Sequence, residues 1–207
     1  CDEVGTILYV AIDKKYVGYV LIADKIKQDS SKTIRELKAM NIKETVMLTG
    51  DKKEVGEYVA KKLNMDKVYT ELLPDGKVEK VEELLKQKSE KGKLVFVGDG
   101  INDAPVLTIA DIGVAMGGLG SDAAIEAADI VIMTDETSKI SKAINLSKKT
   151  MRIVRENIIF AIFVKIAVLL LTAFGASTMW EAVFADVGVS VIAIINALRM
   201  LNIKKFE

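Results

Sequence analysis

The stretch KLVFVGDGINDAPVL, residues Lys93–Leu107, runs from a short apolar segment into two aspartates, Asp99 and Asp103, set among Gly98, Gly100 and Asn102. KLVFV reads as a buried strand, and NDAPVLTIA after it as a short helix. Two carboxylates held in such a loop, with no basic residue inside the motif, repel each other unless a cation joins them. A hard divalent ion such as Mg²⁺ meets that need, because it keeps several waters and takes one or two carboxylates plus phosphate oxygens. Gly98 and Gly100 permit the tight backbone that brings the loop close to a ligand.

On both sides of this stretch strands and helices alternate. GTILYVAI and YVGYVLIA read as two strands around a polar turn. DSSKTIRELKAMNI is a helix with a capping serine or aspartate ahead of Ile34, Leu37 and Met40. ETVMLTGD is a strand ending in Thr49-Gly50-Asp51, KEVGEYVAKKLNM a helix, DKVYTEL a strand, and PDGKVEKVEELLKQK a helix opened by Pro74. DIGVAM and DIVIM are strands around the helix SDAAIEAA. This alternation predicts an α/β fold, a parallel sheet with helices on both faces. Ligands of such sheets sit outside the carboxyl ends of the strands. TGD and VGDGIND both lie there, each just ahead of a helix whose free N–H groups face the same crevice. Lys77, at the start of the PDGK helix, supplies a point charge for a phosphoryl group.

Composition excludes other classes. The 207 residues hold 29 Lys+Arg against 29 Asp+Glu, so bulk charge points to no nucleic-acid partner. One Cys, at position 1, excludes an internal disulfide, and with no His a Cys/His zinc site within this chain is ruled out. No signal peptide is visible, and the opening CDEVG without a start Met suggests a piece of something longer.

Charge is unevenly spread. Between Ile158 and Leu198 only Lys165, Glu181 and Asp186 are charged, whereas the preceding sequence is densely charged. Ile158 to Thr178 and Trp180 to Leu198 are each roughly 20 residues, enough to cross about 30 Å of hydrocarbon. Lys148, Lys149, Arg152 and Arg155 precede the first span and Arg199, Lys204 and Lys205 follow the second, which predicts a hairpin with both ends cytoplasmic. A charge at membrane depth costs several kcal/mol and usually faces the bundle. At a rise of 1.5 Å per residue Lys165 lies roughly 15 Å below Gly175 and Asp186 roughly 9 Å below Trp180, a difference of about 6 Å that a lysine side chain spans. Ala182, Asp186, Ser190, Ala193 and Ala197 form one small-residue stripe, which predicts that Asp186 points inward.

Thr49 to Asp51, Pro74 to Lys77 and GDGINDAP at Gly98 to Pro105 together resemble the phosphorylation domain of the P-type ATPases, a branch of the haloacid-dehalogenase-like fold. The likeness implies that Thr49 hydrogen-bonds a transferred phosphoryl group within a Thr49-Gly50-Asp51 loop that Asp51 orients, and that Lys77 neutralises the group. It implies further that Asp99 binds Mg²⁺, with Asn102 and Asp103 completing the site and Asp103 reaching the Mg²⁺ directly or from behind Asp99. The family's DKTGT segment, whose aspartate accepts the phosphate, is nowhere in these residues, so the chain cannot turn over ATP alone. FVKIA and ADVGVS are similar to the last two membrane helices of the zinc/cadmium/lead-exporting branch. By that likeness Asp186 is a ligand or release group for the transported Zn²⁺, Cd²⁺ or Pb²⁺, and Lys165 is its partner or counter-ion.

The implied organisation runs from the end of a nucleotide-binding domain or linking strands (1–22) to a phosphorylation domain (23–135). A stalk helix (136–157), membrane helices (158–178 and 179–200) and a cytoplasmic tail (201–207) come after it. The cofactors implied are Mg²⁺ and ATP, the latter bound mainly by a domain outside this chain. The partners implied are the lipid bilayer, the transported metal and the other domains of the same pump, in the plasma membrane. A membrane-anchored, non-catalytic phosphate- or nucleotide-binding module is the other reading of the missing nucleophile, and the hairpin disfavours a soluble phosphatase. SKISKAINLSKKTMRIVRENI reads as an amphipathic helix leading into the first span, a rigid route for coupling. Inserting three residues near Lys148 in the complete pump is expected to uncouple transport from ATP hydrolysis, read as the ratio of metal moved to ATP consumed.

Overall fold

The computed structural model describes residues 6–22, 25–117, 122–176 and 179–201. They form two compact units, Cys1–Ser141 and Lys142–Glu207.

The first unit opens with an antiparallel ribbon, β1 (Thr6–Ile12) and β2 (Lys15–Ile22). Ile12 pairs with Lys15, leaving Asp13 and Lys14 as a two-residue turn with φ of 49° and 62°, the handedness that matches the strand twist. Leu8, Tyr9, Ile12, Tyr16, Val17 and Val20 all remain exposed.

From α1 (Ser30–Ala39) onward, helix and strand alternate: β3 (Val46–Leu48), α2 (Lys53–Leu63), β4 (Lys67–Tyr69), α3 (Pro74–Gln87), β5 (Val95–Gly98), a 3-10 turn at Ile101–Asp103, α4 (Ala104–Ile109), β6 (Ile112–Met116), α5 (Asp122–Ala127) and β7 (Ile130–Ile132). All pairings among β3 to β7 are parallel, as expected. They form two ladders rather than one: β3 pairs only with β4, and β5-β6-β7 make a separate sheet, so β3 and β5 are both edge strands among the described residues.

Strand alternation distributes the core of the second ladder to both faces. Ala115 packs with Leu107 of α4 and Ala124 of α5, beside Phe96 and Val131. Val114 and Met116, pointing the other way, pack with Ile132 and with Ile140 at the start of the next helix. β6 is buried on both sides, the usual condition of a parallel strand.

Three aspartates, each directly before a strand, fix the parallel register at the amino ends. Asp66, before β4, accepts the Thr45 N–H at 2.7 Å and the Thr45 hydroxyl at 2.6 Å. Asp111, before β6, accepts the Leu94 N–H at 2.9 Å, and Asp129, before β7, accepts the Gly113 N–H at 2.8 Å. Each donor lies at the start of the neighbouring strand, so each carboxylate satisfies a backbone group the ladder itself leaves open. Lys88 reinforces Asp111 at 2.8 Å and Lys38 reinforces Asp66 at 2.6 Å.

Asp29, the aspartate expected, with a serine as the alternative, to cap α1, stands at the N-cap position but makes no side-chain cap bond there. Its carboxylate instead accepts the Ser138 N–H at 2.8 Å, so it closes the first turn of α6 (Ser138–Ala173), a donor that no intrahelical carbonyl can reach. That bond, above all, holds the Asp29 carboxyl below its usual range. Buried Thr33 and Ser141 complete the junction, Thr33 with Thr137 at 3.2 Å and Ser141 with Glu36.

Helix α6 is continuous over 36 residues, so the amphipathic segment leads into the apolar one without a break. The amphipathic and apolar segments contain no glycine or proline between Ser138 and Ala173, so nothing interrupts the backbone ladder. It is the one helix among the described residues that is long and apolar enough to cross a membrane. It ends at Ala173 rather than Thr178: Gly175, at φ +70°, and Ala176 donate back to Thr172 and Leu171 and close the helix. α7 (Met179–Val183), a π-turn at Phe184–Gly188 and α8 (Val189–Ala197) make the returning helix. Lys204 and Lys205, expected on the cytoplasmic side, lie outside the described residues.

Lys88, then the Leu94 N–H, hold the Asp111 carboxyl at about 2 instead of 3.8. A depressed carboxyl contributes stability that is full above about pH 4 and is lost as pH falls toward 2. Asp111→Ala is expected to lower stability at pH 7 by about 1–3 kcal/mol, with the difference from the parent shrinking below pH 4, read from urea midpoints in detergent.

Candidate functional site

Thr49 follows the last residue of β3, and its N–H continues the ladder to the Tyr69 carbonyl at 3.0 Å. The loop is then tied to the segment before α3, Leu72 N–H to Thr49 O at 3.1 Å and Glu71 N–H to Asp51 O at 2.9 Å. Inside the loop the Thr49 hydroxyl donates to Asp51 Oδ2 at 2.6 Å, and the Asp51 N–H donates to Thr49 Oγ1 at 3.1 Å. Thr49 and Asp51 therefore cap no helix, and α2 starts at Lys53 without a side-chain cap. Asp51 holds the hydroxyl that the resemblance assigns to a phosphoryl oxygen.

Pro74 opens α3, and one turn in, Lys77 reaches across to Asp103 with Nζ 2.8 Å from Oδ1. Both side chains are largely buried, 19% and 11% exposed, so this is a pair shielded from solvent rather than a surface contact. Asp103 comes from the 3-10 turn after β5, where its N–H bonds to Gly100 O at 3.1 Å. Gly98 is required beneath it: a Cβ at 98 would lie 2.8 Å from Asp103 Cβ and 2.9 Å from Oδ2. The chain of contacts from Thr49 through Leu72 and Lys77 to Asp103 and Gly98 places the two loops on one side of the unit.

Asp99 and Asn102 are exposed beside this pair, and Asp99 makes no ion pair or hydrogen bond among the described residues. No group of three acidic, Cys or His side chains gathers there among those residues. The donor set is thus one free carboxylate next to a second that a lysine has already balanced. That fits Mg²⁺, which uses one or two carboxylates when phosphate oxygens and waters complete its shell, and would not fit an all-protein cage.

In the second unit Lys165 Nζ lies 3.3 Å from Asp186 Oδ1. The pair lies on the outer side of the hairpin, both side chains more than half exposed. Among the described residues of the returning helix Ala185 and Val189 are buried, each one position before a member of the small-residue stripe, Asp186 and Ser190. Further along that seam Asn157 Nδ2 donates to Ala193 O at 3.1 Å and Asn196 Nδ2 donates to Asn157 Oδ1 at 2.8 Å. Arg199 pairs with Asn196 Oδ1 at 2.8 Å. Sequence reasoning passes over these asparagines because a single Asn in an apolar run names no partner. The strand-leading aspartates do leave a signal: MDKVY, ADIGV and ADIVI repeat Asp before an apolar strand.

The profile of the haloacid dehalogenase-like hydrolases matches residues 2–111. The cadmium, zinc and cobalt-transporting ATPase of Bacillus subtilis is 57% identical over 203 residues, 98% of this chain and 29% of that protein. The zinc-transporting ATPase of Synechocystis is 54% identical over 200 residues, 97% of this chain and 28% of that protein. The crystal structure of a zinc-transporting PIB-type ATPase in its E2.Pi state superposes with a TM-score of 0.86 at 35% identity, covering 95% of this chain and 32% of that one. The chain spans under a third of the length of the curated relatives it matches.

Gly98→Ala is expected to displace Asp103 and break its contact with Lys77, lowering stability by about 1–3 kcal/mol, read from the urea midpoint.

Proposed function

The chain belongs to the haloacid dehalogenase-like hydrolase family, and from its likeness to the metal-transporting ATPases we propose that it is the phosphorylation domain and a membrane hairpin of an ATP-driven exporter of divalent metals such as Zn²⁺, Cd²⁺ or Pb²⁺. The observation that carries this reading is the buried Lys77–Asp103 pair with the free Asp99 carboxylate beside it and the Thr49–Asp51 loop on the same side.

In this reading a phosphoryl group, carried on an aspartate outside this chain, enters between the two loops. Thr49 turns its hydroxyl from Asp51 to a phosphoryl oxygen, and Asp51 keeps the loop closed through the backbone of Glu71. Lys77, held in place by Asp103, offers its remaining N–H donors to the same group. Asp99 would hold Mg²⁺, whose positive charge would offset that of the phosphoryl oxygens. The break between the ladders supports the missing piece: β3 and β5, whose ends carry Thr49 and Asp99, each have a free edge, and a strand bearing the aspartate between them would complete one sheet. The ribbon β1-β2, apolar and exposed, suits the end of a nucleotide-binding domain that covers it.

For the membrane half, Asp186 takes the transported cation while Lys165 neutralises it when no metal is bound. Lys148, Lys149, Arg152, Arg155 and Arg199 at one end of the hairpin support a cytoplasmic placement of that end and a multi-pass topology. The uninterrupted α6 supports mechanical coupling along one helix.

In vesicles containing the complete pump, Asp99→Asn is expected to lower ATP hydrolysis by about 100-fold or more. Asp186→Ala is expected to abolish zinc- and cadmium-stimulated transport. Retained transport in Asp186→Ala removes the intramembrane role, and retained hydrolysis in Asp99→Asn removes the Mg²⁺ assignment.

A further inference from the structure

The returning helix of the second unit contains a π-turn in mid-course, Phe184–Gly188, and Asp186 is its central residue. A π-turn holds one residue more than an α-turn, so it rotates the helix before it against the helix after it by about the 100° of one residue. Such turns are rare, and one persists only where its surroundings stabilise it.

Here the stabilising contact is visible. A Cβ at Gly188 would stand 2.5 Å from Cδ2 and 2.7 Å from Cε2 of Phe184, so the Phe184 ring occupies the space a side chain at 188 would take. A helical side chain lies over the turn that precedes it, which is where residue 184 sits. On either side of this contact Ala185 and Val189 are 5% and 3% exposed. They continue toward Ala193, whose carbonyl is bonded to Asn157 of the opposite helix. The turn therefore satisfies two demands at once: it keeps Ala185 and Val189 in the seam, and it leaves Asp186 3.3 Å from Lys165. Tightening the turn to α geometry would rotate one of these out of place.

We propose that Phe184 and Gly188 are positioning residues for the Asp186 carboxylate: the ring seated on the bare Gly188 backbone holds the π-turn that aims Asp186 at Lys165, and so sets the affinity of this site for a divalent cation. The inference rests on the reading of Asp186 as the cation's ligand.

The test uses the complete pump and zinc-stimulated ATP hydrolysis. Gly188→Ala and Phe184→Ala are each expected to raise the zinc concentration for half-maximal stimulation by about 10-fold, with the maximal rate at saturating zinc changed less than about 3-fold. The double variant is expected to be no worse than Phe184→Ala alone, because the added methyl then meets no ring. Half-saturation at the parent value in either single variant overturns the proposal. So do two shifts that simply multiply in the double variant, or a fall in maximal rate at unchanged half-saturation. Should Gly188→Ala fail to accumulate, Phe184→Ala still decides, since Phe184 is half exposed and its truncation is expected to cost little stability. Asp186→Ala, measured alongside, separates the two readings. Parent-like zinc dependence there removes the ligand assignment itself, whereas its loss beside a parent-like Gly188→Ala removes only the positioning role.

Discussion

The ion pair between Lys77 and Asp103 is the contact on which the arrangement of the first unit turns. Lys77 belongs to the helix that follows the β3-β4 ladder, and Asp103 to the loop that follows β5, so the pair joins two halves that share no strand pairing among the described residues. Removing one partner from a pair this shielded would leave an uncompensated charge, at a cost of several kcal/mol. The same arrangement leaves Asp99 unengaged at the rim.

Carboxylates divide the unit into a structural end and a chemical end. At the amino ends of the strands Asp66, Asp111 and Asp129 each accept a backbone N–H of the neighbouring strand, and Asp66 and Asp111 carry lysines as well. At the carboxyl ends Asp51, Asp99 and Asp103 sit in short glycine-bearing loops ahead of helices. The residue type is the same and the role is set by which end of the strand it occupies. A parallel sheet makes that distinction unavoidable, because every strand presents its C-terminal edge to one side.

Much of this is legible in the residues. Short apolar runs locate β3 to β7, and β6 shows the reason most plainly, since a parallel strand buried on both faces excludes polar residues. The loop residues Thr49, Lys77, Asp99 and Asp103 stand out because small and charged residues follow apolar strands at fixed places. Asp29 reads as a local cap and is not one, because its actual partner, Ser138, is more than a hundred residues away and a local pattern cannot name it. The face that packs within the hairpin is not legible in the same way: a uniform period of 3.6 residues assumes an unbroken α-helix, and with the π-turn in place Ala185 and Val189 are the positions buried against α6.

Local periodicity and the cost of burying charge were enough to set the order of strands and helices, the two motif loops, the apolar hairpin and its isolated charges. Packing in three dimensions was needed to assign the partners: Asp103 is spent on Lys77 while Asp99 is not, Thr49 is held by Asp51, and Asp186 stands outside the seam within reach of Lys165. Pairings between distant residues depend on how elements pack and on a single turn's winding. Those are properties of side-chain volume in space, which no one-dimensional pattern records.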